Sequence, residues 1–184
     1  MGNCRGDSCI SINGHILIVD FTMRIASILE NKNLEKRIAI TPEIAKKYIA
    51  LGCEVSLTEN YGDHLGFRDH EYKELGVKIS KDEKDIINSA DVIVQLGLLS
   101  DDKISLIKEN QTLIGVLNPY ENKSKIDDLV KNKINIFSLE LLPRITRAQS
   151  MDILSSQANL AGYKAVIESF ASFEKAIPMM MTAA

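Results

Sequence analysis

The sequence has few of the residues on which most protein chemistry is built. Its three cysteines, Cys4, Cys9 and Cys53, are an odd number at no metal-ligand spacing. That argues against a disulfide framework and makes a reducing cytoplasm the default. Its three histidines are His15, His64 and His70. The last two flank a loop beside Asp63 and Asp69, but neither a tetrahedral nor a di-metal spacing is present. No metal is expected, and a solvated loop is the plainer reading. No serine or cysteine stands in a nucleophile-elbow pattern. None of the ten glycines forms a G-x-G-x-x-G turn after a strand, so the phosphate-cradling turn of a dinucleotide-binding domain is missing. Positive charge is not in excess: the formal net charge is −3, with no basic stripe, which removes the electrostatic reason for nucleic acid. No apolar run approaches the ~18 residues that cross a bilayer. Direct membrane insertion is therefore not expected, and work at a membrane would need a separate membrane-spanning partner.

What is present reads as an α/β domain long enough to bury a core without staples. Short, mostly unalternated apolar runs at 25–29, 55–57, 92–96, 113–117 and 134–139 have the character of buried parallel strands. Helical patterns fall at about 43–51, 69–75, 83–89, 101–108 and 123–131. The last three strand starts are separated by a constant step that suits a crossover helix with two loops. Thr41-Pro42-Glu43 supplies a cap, a proline at the first helical position and an early acid. The expected fold is an α/β three-layer sandwich around a mostly parallel, doubly wound sheet, flavodoxin- or Rossmann-like, ending in a long helix at about 149–175. Met151, Leu154, Ala158, Ala161, Ala165 and Phe170 lie near one face of that helix and read as a core stripe.

The stretch 143–164 carries most of the functional information. It gathers Arg144, Arg147, Gln149, Gln157, Asp152, Ser150, Ser155 and Ser156 where an apolar run gives way to the last helical pattern. Strand-to-helix junctions collect ligand groups because backbone N–H groups and the helix dipole point outward there. On a helix, Gln149, Asp152 and Ser156 would form one stripe, with Ser155 beside it. Such a stripe offers the donors and acceptors that a neutral carboxamide ring needs. By residue type alone, a capped and solvated helix start fits equally well.

A family resemblance separates the two readings. The 143–164 wording is similar to the signature segment of the nicotinamide nucleotide transhydrogenase α subunit, whose N-terminal domain is similar to that of alanine dehydrogenase. Met23 to Glu30 and Glu35-Lys36-Arg37-Ile38-Ala39-Ile40-Thr41-Pro42-Glu43 resemble the family's opening strand and following turn. Leu51-Gly52-Cys53-Glu54-Val55 resembles the approach to its second strand. Tyr61 to Tyr72 resembles a glycine-rich stretch of the family, with Asp63 where a small residue is usual. Pro178 to Ala184 matches the point where the family runs on into its dinucleotide-binding domain.

The resemblance implies an enzyme: part of the NAD(H)-binding component of a proton-translocating NAD(P) transhydrogenase, which moves hydride between NAD(H) and NADP(H). Gln149 and Asp152 would be catalytic. Arg144, Thr146, Arg147, Gln149, Ser150, Asp152 and Ser155 would bind cofactor. NAD(H) would be the cofactor here, with NADP(H) on a partner domain. The implied partners are NADP(H)-binding and membrane-spanning subunits, with a homodimer in the complete subunit and a cytoplasmic location peripheral to the inner membrane. The expected organisation is an extension at 1–22 outside the family, disordered or artefactual, then the α/β domain at 23–148, then a linking helix and onward segment at 149–184. By itself such a chain would be inactive. An alanine dehydrogenase-like amino-acid dehydrogenase is the alternative, with Arg37 where its carboxylate-binding arginine stands. That family's lysine and histidine fall where Val94-Gln95-Leu96-Gly97 and Val116-Leu117-Asn118-Pro119 stand, and neither is present. A catalytically silent docking or dimerisation module remains open. In the first 22 residues Gly6 occupies the position where a myristoylation signal needs Ser or Thr, and Arg5-Gly6-Asp7 reads as coincidence.

Overall fold

Buried β-branched and leucine-rich runs form the sheet, and alternate residues of each strand face opposite layers. The computed structural model describes residues 22–175, together with the backbone of 8–12 and 15–19. It divides into a first unit ending at Ser138 and a second beginning at Leu139.

Within the first unit, β1 (Ser8–Ile12) and β2 (His15–Val19) pair antiparallel as a separate two-stranded sheet. This differs from the expectation for 1–22, which included no strands. Six further strands form an all-parallel sheet: β3 (Arg24–Ser27), β4 (Glu54–Thr58), β5 (Lys78–Ser80), β6 (Val92–Val94), β7 (Thr112–Gly115) and β8 (Asn135–Ser138). Their order is β5-β4-β3-β6-β7-β8. The chain thus winds outward from β3 in one direction, returns across it, and winds outward in the other. The α/β expectation is met, with the strand order of a Rossmann sheet. Connecting helices are α1 (Pro42–Ala50), α2 (Asp69–Glu74), α3 (Glu83–Ser89), α4 (Asp101–Ile104) and α5 (Lys123–Lys131). Thr41 caps α1 by accepting from the Ile44 N–H at 3.4 Å, with Pro42 in the first turn. Asp82 caps α3 through the Lys84 N–H at 2.9 Å. The α4 pattern, expected to 108, stops at Ile104.

Alternation divides the core between the sheet's two faces. Ala26, Ile93 and Leu113 join Ile86, Ile87, Leu117 and Leu129 on one side. Ile25 and Val55, with Val92 and Val94, join Ala45, Tyr61 and Tyr72 on the other. Gly115 is required by a close strand approach. A Cβ there would stand 2.4 Å from the Gln95 backbone oxygen, so β6 and β7 would have to separate. Gly115→Ala is expected to lower unfolding stability by about 1–3 kcal/mol, the range for overpacked interiors. Urea denaturation measures it, and a change within about 0.5 kcal/mol would contradict the close approach.

The second unit is a 3₁₀ turn at Leu139–Leu141, a 3₁₀ helix at Thr146–Met151 and the helix α6 (Ile153–Ala171). The long final helix is present, but it starts at Ile153 and not at 149. Its expected core stripe is not buried: every residue from Leu154 to Ala171 is exposed. Leu160, Tyr163, Val166 and Phe170 spread apolar surface around the helix and not along one narrow face. Pro178 to Ala184 lies outside the described residues.

Candidate functional site

The polar residues around Arg144 are assembled by a change of helix type. Thr146, Arg147, Gln149 and Ser150 sit on the 3₁₀ helix, where Ala148 alone is buried. At Asp152 the backbone turns to an extended conformation (φ −74°, ψ 93°) before α6 begins. Gln149, Asp152 and Ser156 therefore do not form the expected helical stripe. A 3₁₀ turn rotates each residue by more than an α turn does, and the break at Asp152 resets the phase. Asp152 is instead the N-cap of α6: one carboxylate oxygen accepts the Ser155 N–H at 3.0 Å, and the other accepts the Ser155 hydroxyl at 2.7 Å. The Ser156 hydroxyl turns back to the Ile153 carbonyl at 3.0 Å.

What the structure does bring together is Asp152, Ser155 and Arg144. The two hydrogen bonds from Ser155 hold the Asp152 carboxyl below the usual carboxylate range, and the nearby Arg144 guanidinium adds to this. Asp152 is thus an ionised, oriented acceptor at neutral pH. Arg144, Thr146, Arg147, Gln149 and Ser150 are exposed, so their polar groups are open to a ligand. The Asp152 N–H donates to the Gln149 carbonyl at 3.3 Å, which fixes the backbone between the two residues. This set combines an acceptor with guanidinium and amide donors, the complement of a carboxamide. The residues fit a nicotinamide ring on that ground.

A second place, in the first unit, has no signature in the sequence. The strand order reverses between β3 and β6, and such a switch point opens a crevice beyond the carboxyl ends of the strands. Here that crevice is a cleft of about 780 Å³ lined by Leu29, Glu30, Gln95, Gly97, Lys103 and Asn118, among others. Gln95 is 2% exposed, and its side-chain oxygen accepts from the Ser27 hydroxyl at 2.8 Å and the Ile28 N–H at 3.0 Å. Half-buried Glu30 accepts from the N–H groups of Leu96 and Gly97 at 2.7 and 3.2 Å. Burial pushes its carboxyl up, and these two bonds only partly offset that. Arg37 lies against Glu35 in a forked ion pair, with contacts of 2.8 and 2.6 Å. In the loop that holds His64 and His70, the His64 ring contacts the Lys36 carbonyl at 2.7 Å and Asp69 accepts from the Asn60 N–H. Among the described residues no cluster of His, Cys, Asp and Glu is arranged to hold a metal ion.

Comparison with known proteins adds three findings. A family model described as alanine dehydrogenase/PNT, N-terminal domain, matches residues 28–161. The NAD(P) transhydrogenase subunit alpha (its first part, in a split subunit) of Rickettsia prowazekii (strain Madrid E) is 42% identical over 166 residues, covering 88% of this chain and 43% of that protein. A crystal structure of a transhydrogenase from Sinorhizobium meliloti superposes with a TM-score of 0.77 at 39% identity, covering 86% of this chain and 48% of that one. An alanine dehydrogenase of Halomonas elongata is more distant, at 26% identity over 155 residues. The chain spans less than half the length of the transhydrogenase relatives it matches.

Proposed function

This chain belongs to the alanine dehydrogenase/PNT N-terminal domain family, and from that premise we propose that it is part of the NAD(H)-binding component of an NAD(P) transhydrogenase. In this reading the complete protein moves hydride between NAD(H) and NADP(H), coupled to proton passage through a membrane-spanning partner. The oriented Asp152–Ser155 pair beside Arg144 carries the reading. Asp152 accepts from the carboxamide N–H of the nicotinamide, Arg144 donates to its oxygen, and Ser155 holds the carboxylate in place. Gln149 lies towards the partner-bound NADP(H). The nicotinamide supplies the hydride. The protein holds the rings and excludes water, which suits a site rich in amides and hydroxyls and poor in histidine and cysteine.

Gln95 and Asn118 line the switch-point cleft in the places where an amino-acid dehydrogenase has its lysine and histidine. A carboxamide does not exchange protons near neutral pH, so deamination of an amino acid has no acid–base pair there. This favours transhydrogenation over the alanine dehydrogenase reading. No helix among the described residues is long and apolar enough to cross a membrane, and in this proposal proton passage belongs to partner subunits on which the NAD(H)-binding dimer docks.

The test is hydride transfer by the complete subunit with its NADP(H)-binding partner, measured as reduction of an NADP⁺ analogue by NADH. Alanine-dependent NAD⁺ reduction without such transfer would overturn the proposal. The 184-residue chain alone is expected to bind NADH with a dissociation constant weaker than about 10 μM, near −7 kcal/mol, because it has no glycine-rich turn for the pyrophosphate. A fluorescence titration showing tighter binding would place the whole cofactor site in this chain.

A further inference from the structure

The switch-point cleft holds a donor with a fixed direction. Gln95 is almost wholly buried, and the Ile28 backbone can only donate, so the Gln95 atom facing it must be the oxygen. That settles which way the amide points. The Ser27 hydroxyl donates to the same oxygen. The Gln95 Nε2 group has no hydrogen-bond partner among the described residues, on a side chain that lines the cleft. An amide nitrogen left without a partner on so buried a side chain is costly, and buried polar groups are nearly always paired. Across the cleft, Glu30 Oε1 takes both backbone N–H groups. Its Oε2 lies over Gly97, 3.7 Å from where a Cβ would stand there.

The charges around this pair narrow the ligand class. Glu30, Glu35 and Glu83 all line the cleft, which disfavours phosphates and carboxylates. The two lysines there are engaged, Lys103 with Glu83 at 2.9 Å and Lys125 with Asp101 at 2.6 Å. A cation would satisfy Glu30 but would face the N–H groups of Gln95, which have nothing to accept from it. Both demands are met by a group with an acceptor and a donor side by side. We infer that this cleft is a binding site for a small uncharged molecule bearing a primary carboxamide, whose oxygen accepts from Gln95 and whose N–H donates to Glu30. The inference is independent of the hydride-transfer reading, since both residues lie in the first unit and the nicotinamide contacts proposed above lie in the second.

Benzamide, benzoate and acetophenone test the inference on the 184-residue chain by two-dimensional NMR. They share a ring but differ in the group presented: donor and acceptor, anionic acceptor, neutral acceptor. Benzamide is expected to shift the Gln95 side-chain NH₂ signals and the Leu96 and Gly97 amides, with a dissociation constant of about 1 mM, typical of a small fragment. Benzoate and acetophenone are expected to bind at least about tenfold more weakly, a difference of ~1.4 kcal/mol. Gln95→Glu keeps acceptors for Ser27 and Ile28 but removes the donor, and should lose benzamide binding about tenfold or more. If that variant does not fold, the three-ligand comparison on the unaltered protein decides. Benzoate or acetophenone binding as tightly as benzamide overturns the inference. So do shifts away from the cleft, or no benzamide binding in the millimolar range.

Discussion

Replacing Tyr61 by Phe is expected to lower unfolding stability by about 2–4 kcal/mol, because one hydroxyl serves two buried backbone donors. Tyr61 is 1% exposed. Its oxygen accepts the N–H groups of Ala39 and Ile40 at 3.1 and 3.2 Å, and lies 2.7 Å from the Ser27 hydroxyl. The direction of each proton follows from the Gln95 amide. Its oxygen can only accept, so Ser27 donates to it, and Tyr61 therefore donates to Ser27. The relay Tyr61 to Ser27 to Gln95 ties the 37–41 loop to β3 and to the floor of the switch-point cleft. Phenylalanine keeps the ring and its edge-on contact with Tyr72, whose centroid is 6.3 Å away at 83°. It leaves the two backbone donors without a partner. Tyr72→Phe is the control, since its hydroxyl serves only the Ile40 carbonyl, at 3.0 Å. Carbonyls tolerate a missing bond better than N–H groups, so a loss of about 1 kcal/mol is expected. Urea unfolding with an unchanged m-value measures both, and equal effects for the two variants would refute the donor count.

The same hydroxyls set an alkaline limit. Burial pushes both phenols above their ordinary value, so the folded state favours the protonated form. Their contribution is fully present below the unfolded tyrosine pKa of about 10 and is lost as pH rises from there towards the folded values. In Tyr61→Phe the slope of stability against pH above about 10 should be shallower than in the parent protein.

Several elements of this arrangement are readable in the sequence, and the reasons differ from element to element. The runs beginning at Val92, Leu113 and Ile134 announce β6, β7 and β8 because strands buried on both faces are apolar throughout. The strand β5 escapes such a pattern because Lys78-Ile79-Ser80 sits at the sheet edge, where one apolar residue between two polar ones is enough. The hairpin of β1 and β2 does carry a local signal, Asn13-Gly14 between two β-branched stretches. In the polar segment the residue types are legible and their geometry is not. The pattern places a helix start at 149, whereas the Asp152 carboxylate caps α6 with Ser155 three positions on. The cleft has no local signature at all. Glu30 and Leu96 are 66 residues apart, and only the reversal of strand order at β3 and β6 places them together. At position 95 the sequence shows only the loss of a lysine. The oriented amide in its place becomes visible once its oxygen has two donors.

In the complete subunit with its NADP(H)-binding partner, Gln149→Asn is expected to slow hydride transfer about 10²-fold, the scale of a misplacement near 1 Å between reacting groups. NADH affinity should change less than about threefold, under ~0.7 kcal/mol. Asparagine keeps the amide but shortens its reach by one methylene. Gln149 is exposed on the 3₁₀ helix and its carbonyl accepts from the Asp152 N–H, so the backbone that leads into the α6 cap does not depend on its side chain. The substitution therefore tests reach and not folding. A fall in rate at nearly constant affinity marks an interaction made mainly in the transition state. Arg144→Ala should behave differently, because Arg144 stands beside the Asp152 carboxylate and its loss weakens both ground-state binding and transfer. Ser155→Ala removes the 2.7 Å hydroxyl contact to Asp152 and should likewise lower affinity and rate together. Single-turnover transfer from NADH to an NADP⁺ analogue separates the two patterns. An unchanged rate in Gln149→Asn would leave the segment as a capped helix start with exposed polar residues, and the transhydrogenase site would have to be sought elsewhere in the complete protein.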